Sequence, residues 1–175
     1  MGRNHAATGV LTGSGAAWLA QMNPGQAAAF IGIVSACSLL PDFDHPDAIG
    51  PRSFGWPGRA IAWLIGSLFG HRGLTHSVLG VGVLSAGLAF VPHLPAFCYW
   101  AVILGCVTHI AGDMMTVSGV PLFWPIDTRF WLTFPRFRIH TGQFAESEIL
   151  TPILAVVSGV VGVGTVLLLT KGYTA

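Results

Sequence analysis

The amino-acid sequence predicts an all-α polytopic membrane protein, a bundle of about four to five membrane helices plus a short interfacial helix, in a single domain over residues 1–175. Three observations predict it. Hydrophobic residues make up 53% of the chain and the mean hydropathy is +0.68. Charged residues make up only 9%, where a soluble domain carries about 25%, so there are too few to cover a water-facing surface. Long apolar runs alternate with breaks rich in proline and glycine. The net charge of +1 comes without a basic run or a cationic helix face, so membrane lipids are the expected surroundings and no nucleic acid is expected as a partner.

A helix crossing the hydrocarbon core needs about 20 mainly apolar residues. The first segment, residues 4–22, is broken by Asn23, Pro24 and Gly25. The second, residues 24–40, opens with a proline suited to a first helical turn, is short for a span, and stops at Pro41. Residues 58–69 are too few to cross and read as an interfacial or re-entrant helix. Residues 74–91 form the next segment, ended by "PHLP"; residues 96–117 follow, and residues 149–170 are the plainest membrane stretch. Gly80, Gly82, Gly87, Gly159, Gly162 and Gly164 lie inside apolar helices rather than between a strand and a helix. They are therefore expected to let helices approach closely, not to cradle phosphate. Cys37, Cys98 and Cys106 lack CxxC spacing and read as small core residues. Arg3 makes a weak basic start for a cleaved signal, and "MGRNHA" lacks a myristoylation pattern, so the chain is read as mature from Met1.

The turns at 21–25 and 91–95 carry no Lys or Arg. Arg3, Arg52, Arg59, Arg72, Arg129, Arg136 and Arg138 collect on the other side of a five-pass topology, opposed only by Lys171. The positive-inside rule places that side in the cytoplasm. The mixture of Trp124, Phe130, Trp131, Phe134 and Phe137 with Arg129, Arg136 and Arg138 reads as an interfacial segment.

The ionisable residues fall on the same side. His5 opens the first segment; Asp42, Asp44 and His45 follow the second in "LLPDFDHPD"; His71, Arg72 and His76 flank the start of the next in "FGHRGLTHS"; His109 and Asp113 end the 96–117 segment in "VTHIAGDMM". His109 and Asp113 are four apart and share a helix face. An ionisable group inside a span reads as functional by default. His71 and His76 would diverge by about 140° on one helix, but Gly70 and Gly73 let the chain bend so that both rings can converge. Four separate pieces of chain thus deliver imidazole and carboxylate to one depth, as a metal site requires. The nitrogen and oxygen donors, without thiolate, suit Zn, Mn or Fe(II). The donors His5, Asp42, Asp44, His45, His71, His76, His109 and Asp113 exceed the four that one zinc takes, which favours two divalent ions, with zinc the first candidate. Arg72 beside them is suited to an anionic substrate group.

"LLPDFDHP", "FGHRGLTHS" and "THIAGDMMTVSGVPLFWP", in this order and with the early His5, resemble the YdjM-like inner-membrane metal-dependent hydrolases of bacteria over residues 5–126. The resemblance implies a hydrolase distantly like zinc-dependent phospholipase C and P1-type nucleases. It implies ligands at His5, at an aspartate of "PDFDH", at His71 or His76, and at His109 and Asp113, with Asp113 the bridging carboxylate. A third metal would fall to His140 with Glu146 or Glu148, which lack a suitable spacing.

Two functions are weighed. The first is a hydrolase of a phosphoester or phospholipid that uses a metal-activated water, with Asp42 or Asp44 as general base and Arg72 on the substrate. No GxSxG elbow or HExxH helix points to another hydrolytic mechanism. His109 and Asp113 also match the HxxxD spacing of lipid-phosphate phosphatases, whose companion motifs are absent. The second is a non-catalytic membrane protein with a structural metal or an ion path. Access of water separates them, because a catalytic metal keeps an open position and a structural one is closed.

Overall fold

A computed structural model describes residues 2–141 and 150–173. Seven α-helices carry the described chain, with no named strand among these residues: α1 Gly2–Leu19, α2 Pro24–Cys37, α3 Ile49–Ser53, α4 Gly55–Phe69, α5 Val78–Ala89, α6 Ala96–Asp113 and α7 Thr151–Tyr173. Among the described residues, three helical stretches are long and apolar enough to cross a membrane: Pro24–Asp44, Ala96–Asp113 and Thr151–Gly172. The chain is a helical membrane bundle. α5 is apolar too, but its 12 residues reach only about 18 Å. α1 has the length, but Arg3, Asn4 and His5 and its Thr, Ser and Gly content make it less apolar than these three.

Local chemistry sets the helix starts. Asn23 accepts a hydrogen bond from the Gln26 amide at 2.9 Å, and Pro24 fills the first helical position of α2. Ser77 does the same for α5, accepting from Gly80 N at 3.0 Å. That cap divides the expected 74–91 segment into a 3-10 turn, Leu74–His76, and the helix proper. The interfacial helix predicted over 58–69 begins earlier, at Gly55. It presents exposed Trp56, Trp63 and Leu68, which suits a helix lying in the membrane interface.

The core lies where α1, α2, α6 and α7 meet, around Ala17, Phe30, Ile31, Val34, Ala101 and Leu169. Outward-facing Val156, Val160 and Leu167 on α7 are exposed, as a lipid-facing surface requires. Polar side chains tie the helices together: Thr12 to Thr108 at 3.1 Å, and the Ser35 hydroxyl donating to Ala6 O at 2.9 Å. Of the glycines expected to permit close packing, Gly80 and Gly162 do so, against Leu74 O and Val10 Cγ1, while Gly82, Gly87, Gly159 and Gly164 face open space. A Cβ on Gly9 would meet Ser35 Cα at 2.8 Å, and one on Gly105 would meet Val34 O at 2.7 Å. Those two bring α1 and α6 onto α2. The expected set was drawn from the most glycine-rich helices, whose outer faces meet lipid.

After α6 the chain forms a strap. Leu132 N donates to Met114 O at 3.0 Å, Ile139 N to Met115 O at 3.0 Å, and Val78 N to Leu122 O at 2.9 Å. Arg138 stacks over Trp131 at 4.2 Å and Arg136 over Phe137 at 4.8 Å. Exposed His140 lies on it; Glu146 and Glu148 fall outside the described residues.

A Gly105→Ala substitution is expected to destabilise the bundle by about 1–3 kcal/mol and to lower the unfolding midpoint in detergent by several degrees. Gly87→Ala, with open space around it, is expected to leave the midpoint unchanged or raise it slightly. Thermal unfolding followed by circular dichroism compares the two.

Candidate metal centre

The start of α1, the turn after α2, the turn before α5 and the end of α6 meet at one end of the bundle. From them come His5, Asp42, His76, His109 and Asp113. His76, His109 and Asp113 are fully buried, and His5 is 6% exposed. Asp42 keeps 18% of its side chain exposed and forms the opening.

Three donor atoms, His76 Nε2, His109 Nε2 and Asp113 Oδ2, face one another, with Asp42 beside them. His76 Nε2 and His109 Nε2 are 3.2 Å apart. Asp113 Oδ2 lies 3.4 Å from the first and 3.7 Å from the second. Asp42 Oδ1 lies 3.8 Å and 3.5 Å from them. Metal bonds of 2.0–2.1 Å in a tetrahedron give edges of about 3.3–3.4 Å. A second group adjoins the first, made by His5, Asp42 and His109. There His5 Nε2 is 3.3 Å from Asp113 Oδ1, so the two oxygens of Asp113 face the two groups.

The outer nitrogens of the rings fix the tautomer of each neutral ring. His109 Nδ1 is 2.6 Å from Ser38 O, and a carbonyl only accepts, so Nδ1 is the donor. Thr75 Oγ1 donates to Asp44 Oδ2 at 2.7 Å and therefore accepts from His76 Nδ1 at 2.9 Å. In the neutral form required of a metal ligand, each ring then presents its Nε2 lone pair toward the other and toward Asp113 Oδ2. Neither oxygen of Asp113 has a well-directed hydrogen bond. Such a cluster of acceptors in a buried site calls for a cation. Divalent zinc, manganese or iron fits this donor set.

Asp44, expected as a ligand or base, is instead a brace. Its carboxylate accepts from His71 Nδ1 at 2.9 Å, the Arg72 amide at 2.7 Å and the Thr75 hydroxyl at 2.7 Å. It lies on the Nδ1 side of His76, 3.6 Å away, rather than among the Nε2 donors, because the 3-10 turn Pro41–Asp44 sends Asp42 and Asp44 in different directions. His71, expected as a ligand, is 50% exposed and bound to Asp44. His45, also expected as a ligand, is exposed, accepts from Asp47 N at 3.2 Å and packs edge-on to His71 with ring centroids 5.1 Å apart. Arg72 lies inside the site, with Nη2 2.9 Å from Asp113 Oδ2. Its φ of +60° is uncommon for a non-glycine residue and marks a loop held in a special shape.

Three contributors escape a reading for ionisable groups. Ser38 supplies the carbonyl to His109, and its hydroxyl donates to His5 O at 2.8 Å. Thr75 links Asp44 to His76. Gly112 makes room for His5, since a Cβ there would stand 3.2 Å from the ring, which stacks on His109 with centroids 3.8 Å apart. The adjacency of Thr75 to His76 and of Gly112 to Asp113 was the available signal.

The family model described as YdjM inner membrane protein matches residues 1–172. The chain belongs to the YdjM inner membrane protein family. It is 43% identical over 98 residues to the inner membrane protein YdjM of Escherichia coli K12, covering 54% of this chain and 48% of that protein, and equally so to YdjM of Shigella flexneri. The match thus spans about half the length of these YdjM relatives. It is 29% identical over 150 residues to the uncharacterized protein YvsG of Bacillus subtilis 168, covering 85% of this chain and 86% of that one. No solved structure matches at a significant level. Nothing in these likenesses extends to phospholipase C or P1-type nucleases. Membership of the YdjM family makes this an inner membrane protein, in keeping with its long apolar helices.

Removal of the brace by Asp44→Ala is expected to weaken metal binding about 10–100-fold while the helices persist. Competition with a chromogenic chelator measures the affinity, and circular dichroism the helices.

Proposed function

We propose that this protein is a membrane-bound metal-dependent hydrolase of a phosphoester, most suitably a phospholipid. It would hold two divalent ions, zinc first among them, at the His/Asp centre near the cytoplasmic face. The observation that carries this reading is the opposition of the His76 and His109 Nε2 atoms at 3.2 Å beside two carboxylates. His76, His109 and Asp113 would hold the inner ion, and His5 with one oxygen of Asp42, from the adjoining group, the outer one.

Bound divalent ions lower the pKa of water and polarise a phosphoryl oxygen. The chain supplies the rest. Asp42, the part-exposed carboxylate, is placed to take a proton from the attacking water; Asp44 has its oxygens occupied by three hydrogen bonds. Water oxygen bonds to phosphorus, the ester P–O bond breaks, and the proton passes to the departing alcohol. Arg72 adds a fixed positive charge beside the phosphate. The cytoplasmic orientation rests on the remaining basic residues, since Arg72 is buried against Asp113 and serves the site rather than the topology.

One observation favours the second reading, a structural metal in a non-catalytic membrane protein: His76, His109 and Asp113, the donors of the inner group, are all fully buried, and a structural site is closed. The outer set, with the exposed edge of Asp42, is where an open position would lie.

Metal analysis of the purified protein is expected to give about two ions per chain, with most of the metal lost in Asp113→Ala. Against a panel of phospholipids and phosphodiesters, Asp42→Asn is expected to lower kcat by about 10²–10⁴-fold, and chelation to abolish turnover. Metal without turnover on any substrate would leave the structural reading; full metal retention in Asp113→Ala would remove both.

A further inference from the structure

We infer that the apolar groove beside the metal centre is a slot for one acyl chain of a phosphate-bearing lipid. This rests on the hydrolase reading above and names its substrate class. The groove has a volume of about 370 Å³, within the range of small-molecule sites. It runs between the turns at Pro41–Asp44 and Leu74–His76, α5 and α6, with walls of Leu40, Phe43, Leu74, Val81, Leu84 and Cys106.

Its position relative to the donors carries the argument. Pro41, which lines it, precedes Asp42; Thr75, which lines it, precedes His76; Cys106 lies one turn before His109. Thr75 is the polar end of an otherwise oily channel, with its hydroxyl engaged by Asp44 and His76. A molecule with its chain in the groove would therefore hold its head beyond Thr75, on the side of His76 and the centre. This pairing of an apolar length with the proposed metal centre complements an amphiphile with a phosphate head. It does not complement a soluble phosphoester. The groove also has a lateral entrance. α5 buries none of its residues, packs chiefly on α6, and turns Val78, Leu79 and Val83 outward. A chain can pass in from the bilayer without leaving hydrocarbon.

The test uses the metal-loaded protein in detergent micelles with a lysophospholipid bearing a diazirine at the chain end, and in parallel a fatty alcohol of equal length bearing the same group. Photolysis and peptide mapping are expected to place lysophospholipid adducts on Val81, Leu84 and Cys106. These should exceed adducts on Val156 and Val160 of α7 by about tenfold, the factor one charge-assisted phosphate contact supplies. The fatty alcohol should show no such concentration. Leu84→Trp, which fills the slot, is expected to remove the concentration with metal content and α7 labelling unchanged; Leu84→Ala, which widens it, should retain it. Even labelling of all lipid-facing residues, or cross-links to α5 of a second copy, would overturn the slot. Groove labelling without hydrolysis of that lipid would support the slot and count against the hydrolase reading; hydrolysis without groove labelling would do the reverse.

Discussion

The arrangement at the end of the bundle depends on one electrostatic constraint. Two imidazoles and the Asp113 carboxylate are gathered within 3.7 Å of one another, all buried, with Asp42 beside them at the opening. Without positive charge between them they repel, and the low dielectric of the interior magnifies that repulsion. Arg72 offsets part of it at Asp113. The surrounding polar contacts serve to hold the donors in this unfavourable proximity: the Ser38 carbonyl on His109, Thr75 on His76, and the saturated Asp44 on the loop carrying Arg72. Remove the positive charge and the same contacts become a strained frame.

The helices around the centre divide into a fixed part and a loose part. α1, α2 and α6 are drawn together by Gly9 and Gly105 and by hydrogen bonds across their contacts, and they deliver His5, Asp42, His109 and Asp113. α5 delivers nothing directly; its preceding turn does, through His76. With no buried residue of its own, α5 is held by its capped start, by α6, and by the hydrogen bond between Ser85 and Tyr99. Rigid walls on one side and a lightly held helix on the other suit a site that must keep its donors still and still admit something bulky.

Much of this was legible in the sequence. Scarcity of charge announced the membrane, and imidazoles and carboxylates at matching ends of apolar runs announced a common site; His5, Asp42, His76, His109 and Asp113 do meet. The errors have local causes. Whether Asp42 or Asp44 faces the cluster depends on the twist of a 3-10 turn. His45 ends the same turn and points outward, and His71 sits beside a left-handed residue at Arg72, which nothing in the residue type foretells. A serine cap shortened α5. Glycine content told only part, because composition does not say which face of a helix meets protein: Gly162 meets Val10 and Gly159 meets open space.

The order of the donors along the chain shapes how the protein is made. His5, Asp42, His76, His109 and Asp113 emerge from the ribosome in that sequence, and all precede α7. The first donor must wait for the last, through more than half the length of the polypeptide, before the cluster can close. The cluster therefore comes together only after α6 has been made, and it can do so while the final helix is still being synthesised.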